Sequence, residues 1–394
     1  MKIIDRYWPV GVVALALIFV TALTLRPYHG NVTALFHLDE QMNQQHPVPS
    51  GFVVLQMPGY DGMQYYEIAR MVPDIMQPSH WPALKATVPL SYAYQRILLP
   101  VAAYVLSFGI VGLLPYAFLL INIAALLATC WLVLRWKPEA KLYAMALSLC
   151  PAALLAIHFS LAEPLTLVLL TAFLTRHILA GPQPRRAAAE NLWKIEPLDL
   201  VLLSLLVLSR EVNILFIALL IAWNLWKRQW WSCMLLLLPL AIFAAWHSII
   251  FLIFGDIPFL TSAAKHALPF RSLFDVLRGV QGYNSLTASS IAYALFFYLP
   301  AIVWLCVRIV RKGSVEFLEF AALAFLGLMS VMSWDIWGSM TSIGRVITPV
   351  YPLVVLYAAK YDSWAARWIA CALIALGLGI GVALALIAHP FTVA

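Results

Sequence analysis

Charge is scarce in this chain. Asp, Glu, Lys and Arg together make up 11% of its 394 residues, against 63% apolar residues. A soluble domain carries about 25% charge, so a water-facing surface on every side is excluded. Cysteine is scarce as well. The five, at 130, 150, 233, 306 and 371, all lie in or beside apolar runs. None stands in a long polar loop and no pair has metal-ligand spacing, which argues against disulfides and against a zinc site. Short segments of alternating polarity are missing, which argues against a transmembrane β-barrel. What the chain does have is apolar runs, several near or beyond the roughly 18 residues that cross a bilayer. The fold class that follows is an all-α polytopic membrane protein.

The first apolar run, near 8–25, is too long and too aromatic for a signal-peptide core. Leu25-Arg26-Pro27-Tyr28 follows it, not a small-residue cleavage site, so it reads as a retained span. The net charge is +7. Lys and Arg fall in short clusters between apolar runs, which is a topology signal and not a nucleic-acid one. No nucleic-acid partner is expected.

With Lys2 and Arg6 inside, the first span exits near residue 26. A long outer segment over 26–113 follows, with Pro, His, Asn and Gln clusters and an apolar stretch at 97–110. That stretch is short for a span. A crossing there would place the basic cluster Arg135-Trp136-Lys137-Pro138-Glu139-Ala140-Lys141 outside, so we read a surface-lying or re-entrant helix. Further spans are expected near 114–134, 142–158, 164–180, 198–209, 212–226, 231–254, 288–307, 316–333, 346–359 and 366–388, with a later outer loop at 255–287. That makes about 11 spans in one transmembrane domain over 1–394, with no soluble C-terminal domain expected. One continuous helix over 198–226 is the competing reading, and it inverts everything downstream.

Under this topology the polar residues that need explaining share the outer side: Asp61 and Arg96, Glu163, Arg210 and Glu211, Lys265, His266 and Arg271, then Asp335 and Arg345. An ionised side chain at mid-membrane costs roughly 2.5–3.5 kcal/mol on insertion scales, so charges this close to spans have a reason. Each also has a plain structural reading. Asp61 and Gln64 have capping-box spacing. Glu163 before Pro164 suits a helix start. Arg210 and Glu211 can pair with each other or with neighbours, Lys265 and His266 can be a solvated loop, and Arg345 can snorkel to the head groups. Trp223, Trp226, Trp230 and Trp231 read as an interfacial belt. The sequon Asn31-Val32-Thr33 carries no assignment.

Taken together, the outer set fits sugar transfer from a lipid phosphate. A carboxylate deprotonates the acceptor hydroxyl or holds a metal that activates it. Asp61 and Glu163 are the candidates. Cations neutralise the departing phosphate, and the planar fork of Arg suits that task. Arg210 and Arg345 are the candidates, with Lys265 and His266 beside them.

Tyr60-Asp61-Gly62-Met63-Gln64-Tyr65-Tyr66-Glu67-Ile68-Ala69 resembles the Tyr-Asp-x-x-x-Tyr-Tyr-x-Ile-Ala pattern of bacterial GT-C superfamily glycosyltransferases. The nearest resemblance is to membrane mannosyltransferases related to the second GPI-anchor mannosyltransferase. Three more stretches are similar in order and spacing: Tyr94-Gln95-Arg96 through Pro100, Pro151 through Glu163, and Gly344-Arg345 through Pro352. Leu208-Ser209-Arg210-Glu211 stands where the superfamily often has a basic residue. The likeness covers about residues 55–355 and lies in the ordered set, no single motif being specific.

The resemblance implies a GT-C fold with surface helices in the first outer loop and an extracytoplasmic active site in an inner-membrane protein. It implies a polyprenyl-phosphate-linked sugar donor, inversion at the anomeric carbon, and Asp61 as general base or metal-binding acid. Tyr60, Tyr65 and Arg96 then become substrate-site candidates. A divalent cation, Mg²⁺ or Mn²⁺, is possible. Glu163 stands alone, however, where metal-dependent oligosaccharyltransferases have paired acids, which puts a tightly held metal in doubt. Mannose or another hexose or pentose is the expected sugar, and a glycan, lipid or protein the acceptor. A transporter or flippase, and a polymerase or ligase of lipid-linked saccharides, are the alternatives. The spans are mostly apolar at mid-depth, without a visible inverted repeat, and the longest outer segment is the first; neither suits them.

Overall fold

The structure is a computed structural model, and it describes residues 3–45, 47–55, 59–179, 195–258, 268–280, 285–346 and 348–387. Helices dominate it. Six are long and apolar enough to cross a membrane: Asp5–Tyr28, Val111–Trp136, Lys141–Phe159, Trp230–Phe254, Thr287–Lys312 and Trp364–Leu386. Four shorter apolar helices accompany them, at Pro197–Ser209, Asn213–Trp226, Phe317–Ser330 and Val350–Tyr361. Among the described residues the one sheet is a two-residue parallel pairing of Leu38–Asp39 with Val54–Leu55. The first helix buries Val13, Leu17 and Val20 while leaving Leu15, Ile18 and Phe19 exposed. A helix apolar on every side meets protein on one face and lipid on the other.

Long-range hydrogen bonds sort the helix ends into two groups. At one end, Arg6 donates to the carbonyls of Leu134 and Arg135, so the first helix runs antiparallel to Leu114–Trp136. Lys137 donates to the Ala359 carbonyl and the Tyr143 hydroxyl to Asp362 at the same end. There the fully buried Glu319 accepts from Lys312 at 2.9 Å and from the Tyr357 hydroxyl, while Lys360 pairs with Glu316 at 2.7 Å.

The other end holds the 26–113 segment. Helices Asp61–Arg70 and Trp81–Thr87, the 3₁₀ turn Ser91–Arg96 and helix Leu98–Leu106 lie there. They dock on the end of Trp230–Phe254: the Trp246 indole donates to the Tyr94 carbonyl at 2.8 Å, and Ser91 to Asp256 at 2.9 Å. In the 97–110 stretch the helix is Leu98–Leu106, with nine residues. At 1.5 Å per residue it reaches about 14 Å, half of a bilayer core. Phe108 and Gly109, both with positive φ, then turn the chain into the next helix.

The 198–226 region is two helices, not one continuous helix. Pro197–Ser209 and Asn213–Trp226 are separated by Arg210-Glu211-Val212, with Arg210 in extended backbone. The 142–158 span is broken as well, into Lys141–Ser148 and Pro151–Phe159. Pro151 has no N–H to continue the first ladder. The final helix crosses at that break through Gly377, where a Cβ would come within 1.8 Å of the Leu149 carbonyl oxygen.

Candidate functional site

Four separate breaks in the helical pattern deliver the site. Asp61 opens the short helix Asp61–Arg70, but Tyr60 is its N-cap and no side chain caps it, so the capping-box reading of Asp61 and Gln64 is corrected. The helix is seated by Gly62. A Cβ there would stand 2.1 Å from the Phe159 carbonyl oxygen, so only glycine permits this approach. Ser160, with φ of 51°, ends helix Pro151–Phe159 in the left-handed conformation. The chain reverses there, and Glu163 begins the next helix, where the dipole favours a carboxylate. Arg210 and Glu211 form the hairpin tip. Arg345 closes the short helix Met340–Val346.

These breaks, with Arg96 from the 3₁₀ turn Ser91–Arg96, bring six charges into one chain of alternating sign. Glu211 takes Arg96 with both carboxylate oxygens, at 2.8 and 2.9 Å. Arg96 Nη1 reaches Asp61 Oδ2 and the Tyr65 hydroxyl, each at 2.9 Å. Arg345 Nη2 donates to the same Asp61 Oδ2. Arg345 Nε donates to Glu163 Oε1 at 2.9 Å, and Arg210 Nη1 to that same oxygen at 2.7 Å. The order is therefore Glu211, Arg96, Asp61, Arg345, Glu163, Arg210, and the peptide bond between Arg210 and Glu211 closes the loop. Three acids balance three arginines. Arg210 also donates to the Arg345 carbonyl, tying the hairpin tip to the Met340–Val346 helix.

Aromatic residues frame the network. Tyr60 stacks on Phe159 with ring centroids 4.2 Å apart, accepts from Arg345 Nη1 at 2.7 Å and donates to the Thr341 carbonyl. Tyr92 donates to Asp61 Oδ1 at 3.1 Å. His37 packs against Phe159 in a tilted arrangement with ring centroids 4.7 Å apart, and burial lowers its imidazole to about 4, so it is neutral near pH 7.

The network is graded in depth. Glu163 and Arg210 are shut away, with side chains 1% and 2% exposed, whereas Asp61 is 17% and Glu211 23% exposed. Two atoms at the deep end lack a hydrogen-bond partner: Glu163 Oε2 and Arg210 Nε. Burial pushes the Asp61 carboxyl up, but the guanidinium groups of Arg345 and Arg96 outweigh it and hold the group well below the usual carboxylate range. The same opposition of burial and Arg96 brings Glu211 down to about 2. Burial pushes the Tyr65 phenol up, so it stays a neutral hydroxyl.

Of the residues singled out from sequence, Asp61, Glu163, Arg210, Arg345, Arg96, Tyr60 and Tyr65 come together here. Lys265 and His266 lie outside the described residues. Arg345 does not snorkel; its side chain is 7% exposed. Arg210 and Glu211 do not pair with each other but with Glu163 and Arg96. Of the four tryptophans read as a belt, Trp226, Trp230 and Trp231 are exposed, while Trp223 is buried and packs edge-on against Trp226. Two site residues carried no assignment from sequence. Glu211 was legible only as a charge at a hairpin tip, and Tyr92 is one tyrosine among 16.

A divalent cation asks for several oxygen ligands with lone pairs to spare. Asp61 Oδ2 and Glu163 Oε1 each take two arginine N–H groups, and Glu211 is bidentate on Arg96. Three guanidinium charges in contact with these oxygens oppose a further dication. The donor set in this arrangement does not fit Mg²⁺ or Mn²⁺.

No protein-family model, no curated protein and no solved structure matches the chain. The class rests on the fold: a multi-pass, all-α membrane protein.

Proposed function

We propose that the chain is an inverting glycosyltransferase of the GT-C kind, moving a sugar from a polyprenyl-phosphate donor to an acceptor on the extracytoplasmic face of an inner membrane. The observation that carries this reading is the convergence of three arginines and three carboxylates at one end of an apolar bundle. In the reaction proposed, the acceptor oxygen forms its bond to the anomeric carbon from the face opposite the phosphate. Its proton passes to a carboxylate. The bond from the anomeric carbon to the phosphate oxygen breaks, and polyprenyl phosphate departs with the electron pair. Arginine neutralises that charge as it develops. Asp61 is the proposed proton acceptor, because it is the accessible acid beside two arginines. In this reading Lys2 and Arg6 lie inside and the first helix crosses the membrane, which supports an outer position for the 26–113 segment and the charges gathered at that end.

One observation favours a second reading, a purely structural clasp: all three carboxylates of the network already have arginine partners. Transfer of labelled mannose from a polyprenyl-phosphate donor to membrane glycolipid, by the purified chain in detergent, separates the two. The enzyme reading expects covalent transfer, and a loss of roughly 10²-fold or more in Asp61→Asn, the usual contribution of a positioned base. Near-normal turnover in the variant removes Asp61 from catalysis. No transfer of any lipid-phosphate-linked sugar by the wild type leaves the clasp.

A further inference from the structure

Arg96 and Arg345 come from sequence positions 249 residues apart, yet both donate to one oxygen, Asp61 Oδ2. Two guanidinium groups converging on a single anionic oxygen form the cradle that a phosphoryl oxygen takes. A carboxylate held there is therefore sitting where a phosphate belongs. The rest of each arginine is fixed independently of Asp61. Arg345 is anchored by Glu163 through Nε and by Tyr60 through Nη1, with Tyr60 stacked on Phe159. Arg96 is anchored by Glu211 through Nε and Nη2. Removing Asp61 Oδ2 leaves both guanidinium groups in place and two donors aimed at the same point. Asp61, at 17% exposed, is also easier for solvent to reach than its two arginines, of which Arg345 is 7% and Arg96 10% exposed.

We propose that Asp61 is a placeholder anion in the donor site, and that a phosphate monoester or diester displaces it from Arg96 and Arg345. The inference rests on the transferase reading and sets the order of events within it. With the phosphate bound, the two arginines are occupied, and Asp61 keeps only Tyr92 on Oδ1. An aspartate relieved of two cations is a stronger base, so donor binding prepares the group that takes the acceptor proton. Before donor arrives, the same acid is held inert. Glu163 does not exchange: at 1% exposed, it is the rear anchor that keeps Arg345 in position.

The exchange makes an unusual demand on a catalytic acid. Its removal tightens donor binding. Farnesyl phosphate is a suitable probe, titrated into the purified full-length chain in detergent. Asp61→Asn is expected to bind it roughly tenfold more tightly than wild type, because a charge-assisted contact no longer has to be displaced. Equal or weaker binding overturns the exchange and leaves the transferase reading standing if the wild type binds and transfers. Binding by neither protein overturns the donor site itself, and the exchange with it. Carbodiimide labelling of the wild type, mapped by mass spectrometry, gives the same answer without a variant. Asp61 is expected to be protected in the free protein and to become reactive when farnesyl phosphate is added. Ligand-induced protection of Asp61 overturns the proposal.

Discussion

Asp61 and Glu211 hold their negative charge against burial because arginine outweighs desolvation at both. For Glu211 the balance, set mainly by Arg96, moves the carboxyl from 4.5 to about 2. A carboxyl depressed on folding adds stability at pH above its unfolded value, and that contribution is lost as pH falls toward the folded value. The window for Glu211 thus runs from 4.5 down to about 2. Thermal unfolding in detergent is expected to fall in temperature as pH is lowered through that window. Glu211→Gln is expected to unfold at lower temperature near pH 7 and to show a flatter acid limb. An unchanged acid limb in the variant would mean that this pair contributes nothing to the pH dependence. Glu163 answers a different question. Breaking a buried pair on one side costs about 3–5 kcal/mol, because the remaining charge is left unpaired. Loss of activity in a Glu163 variant therefore mixes folding with chemistry, which is why Asp61 is the cleaner probe. Five of the six network charges were assigned from sequence, because a charge beside an apolar run stands out. Tyr92 was not, since aromatic residues are ordinary in such a chain.

At the scale of elements, the site depends on close approaches that only glycine allows. The helix Asp61–Arg70 meets the Phe159 carbonyl through Gly62, so an added methyl group forces the helix away from the bundle end. Gly62→Ala is expected to lower the unfolding temperature and to abolish sugar transfer together, through displacement of Asp61. Gly11→Ala, in the first helix with nothing within 4 Å of the added carbon, is the matched control and is expected to change neither. A Gly62→Ala protein with wild-type stability and turnover would refute this account of how Asp61 is placed. The hydrophobic pattern located the helices to within a few residues: 231–254 was expected and Trp230–Phe254 is found, 212–226 was expected and Asn213–Trp226 is found. The break at Leu149 and Cys150 was not legible. Pro151 is its only local mark, and a proline inside an apolar run also fits a kinked but continuous span, so the crossing of the final helix there could not be read from the sequence.

At the scale of the whole molecule, two ends carry charge and the sides carry apolar residues. The opposite end is tied by Lys312, Glu316, Glu319 and Lys360, and the site end by the six-membered network. Between residues 85 and 139 the structure has one membrane-length helix, because Leu98–Leu106 is too short to cross. Single cysteines at these exposed positions, in a chain whose exposed Cys306 and Cys371 are replaced by Ser, test this directly. In intact cells an impermeant maleimide is expected to label Lys85→Cys and to leave Glu139→Cys unlabelled until the membrane is opened. Labelling of both from one side would require a second crossing at 97–110.

The sequence by itself determined the solvent of this protein and the position of its helices. Both follow from local composition, since an apolar run long enough to cross a bilayer is self-sufficient in backbone hydrogen bonds wherever its neighbours lie. It also marked most of the charges that need a partner. Only the tertiary structure decided the partners. Asp61 meets Arg345 across 284 residues and Glu163 meets Arg345 across 182. Such a pairing is set by how helices pack around Gly62 and at the Leu149 break, and no local spacing encodes it. An acid with the sequence signature of a helix cap thus becomes an anion held between two arginines.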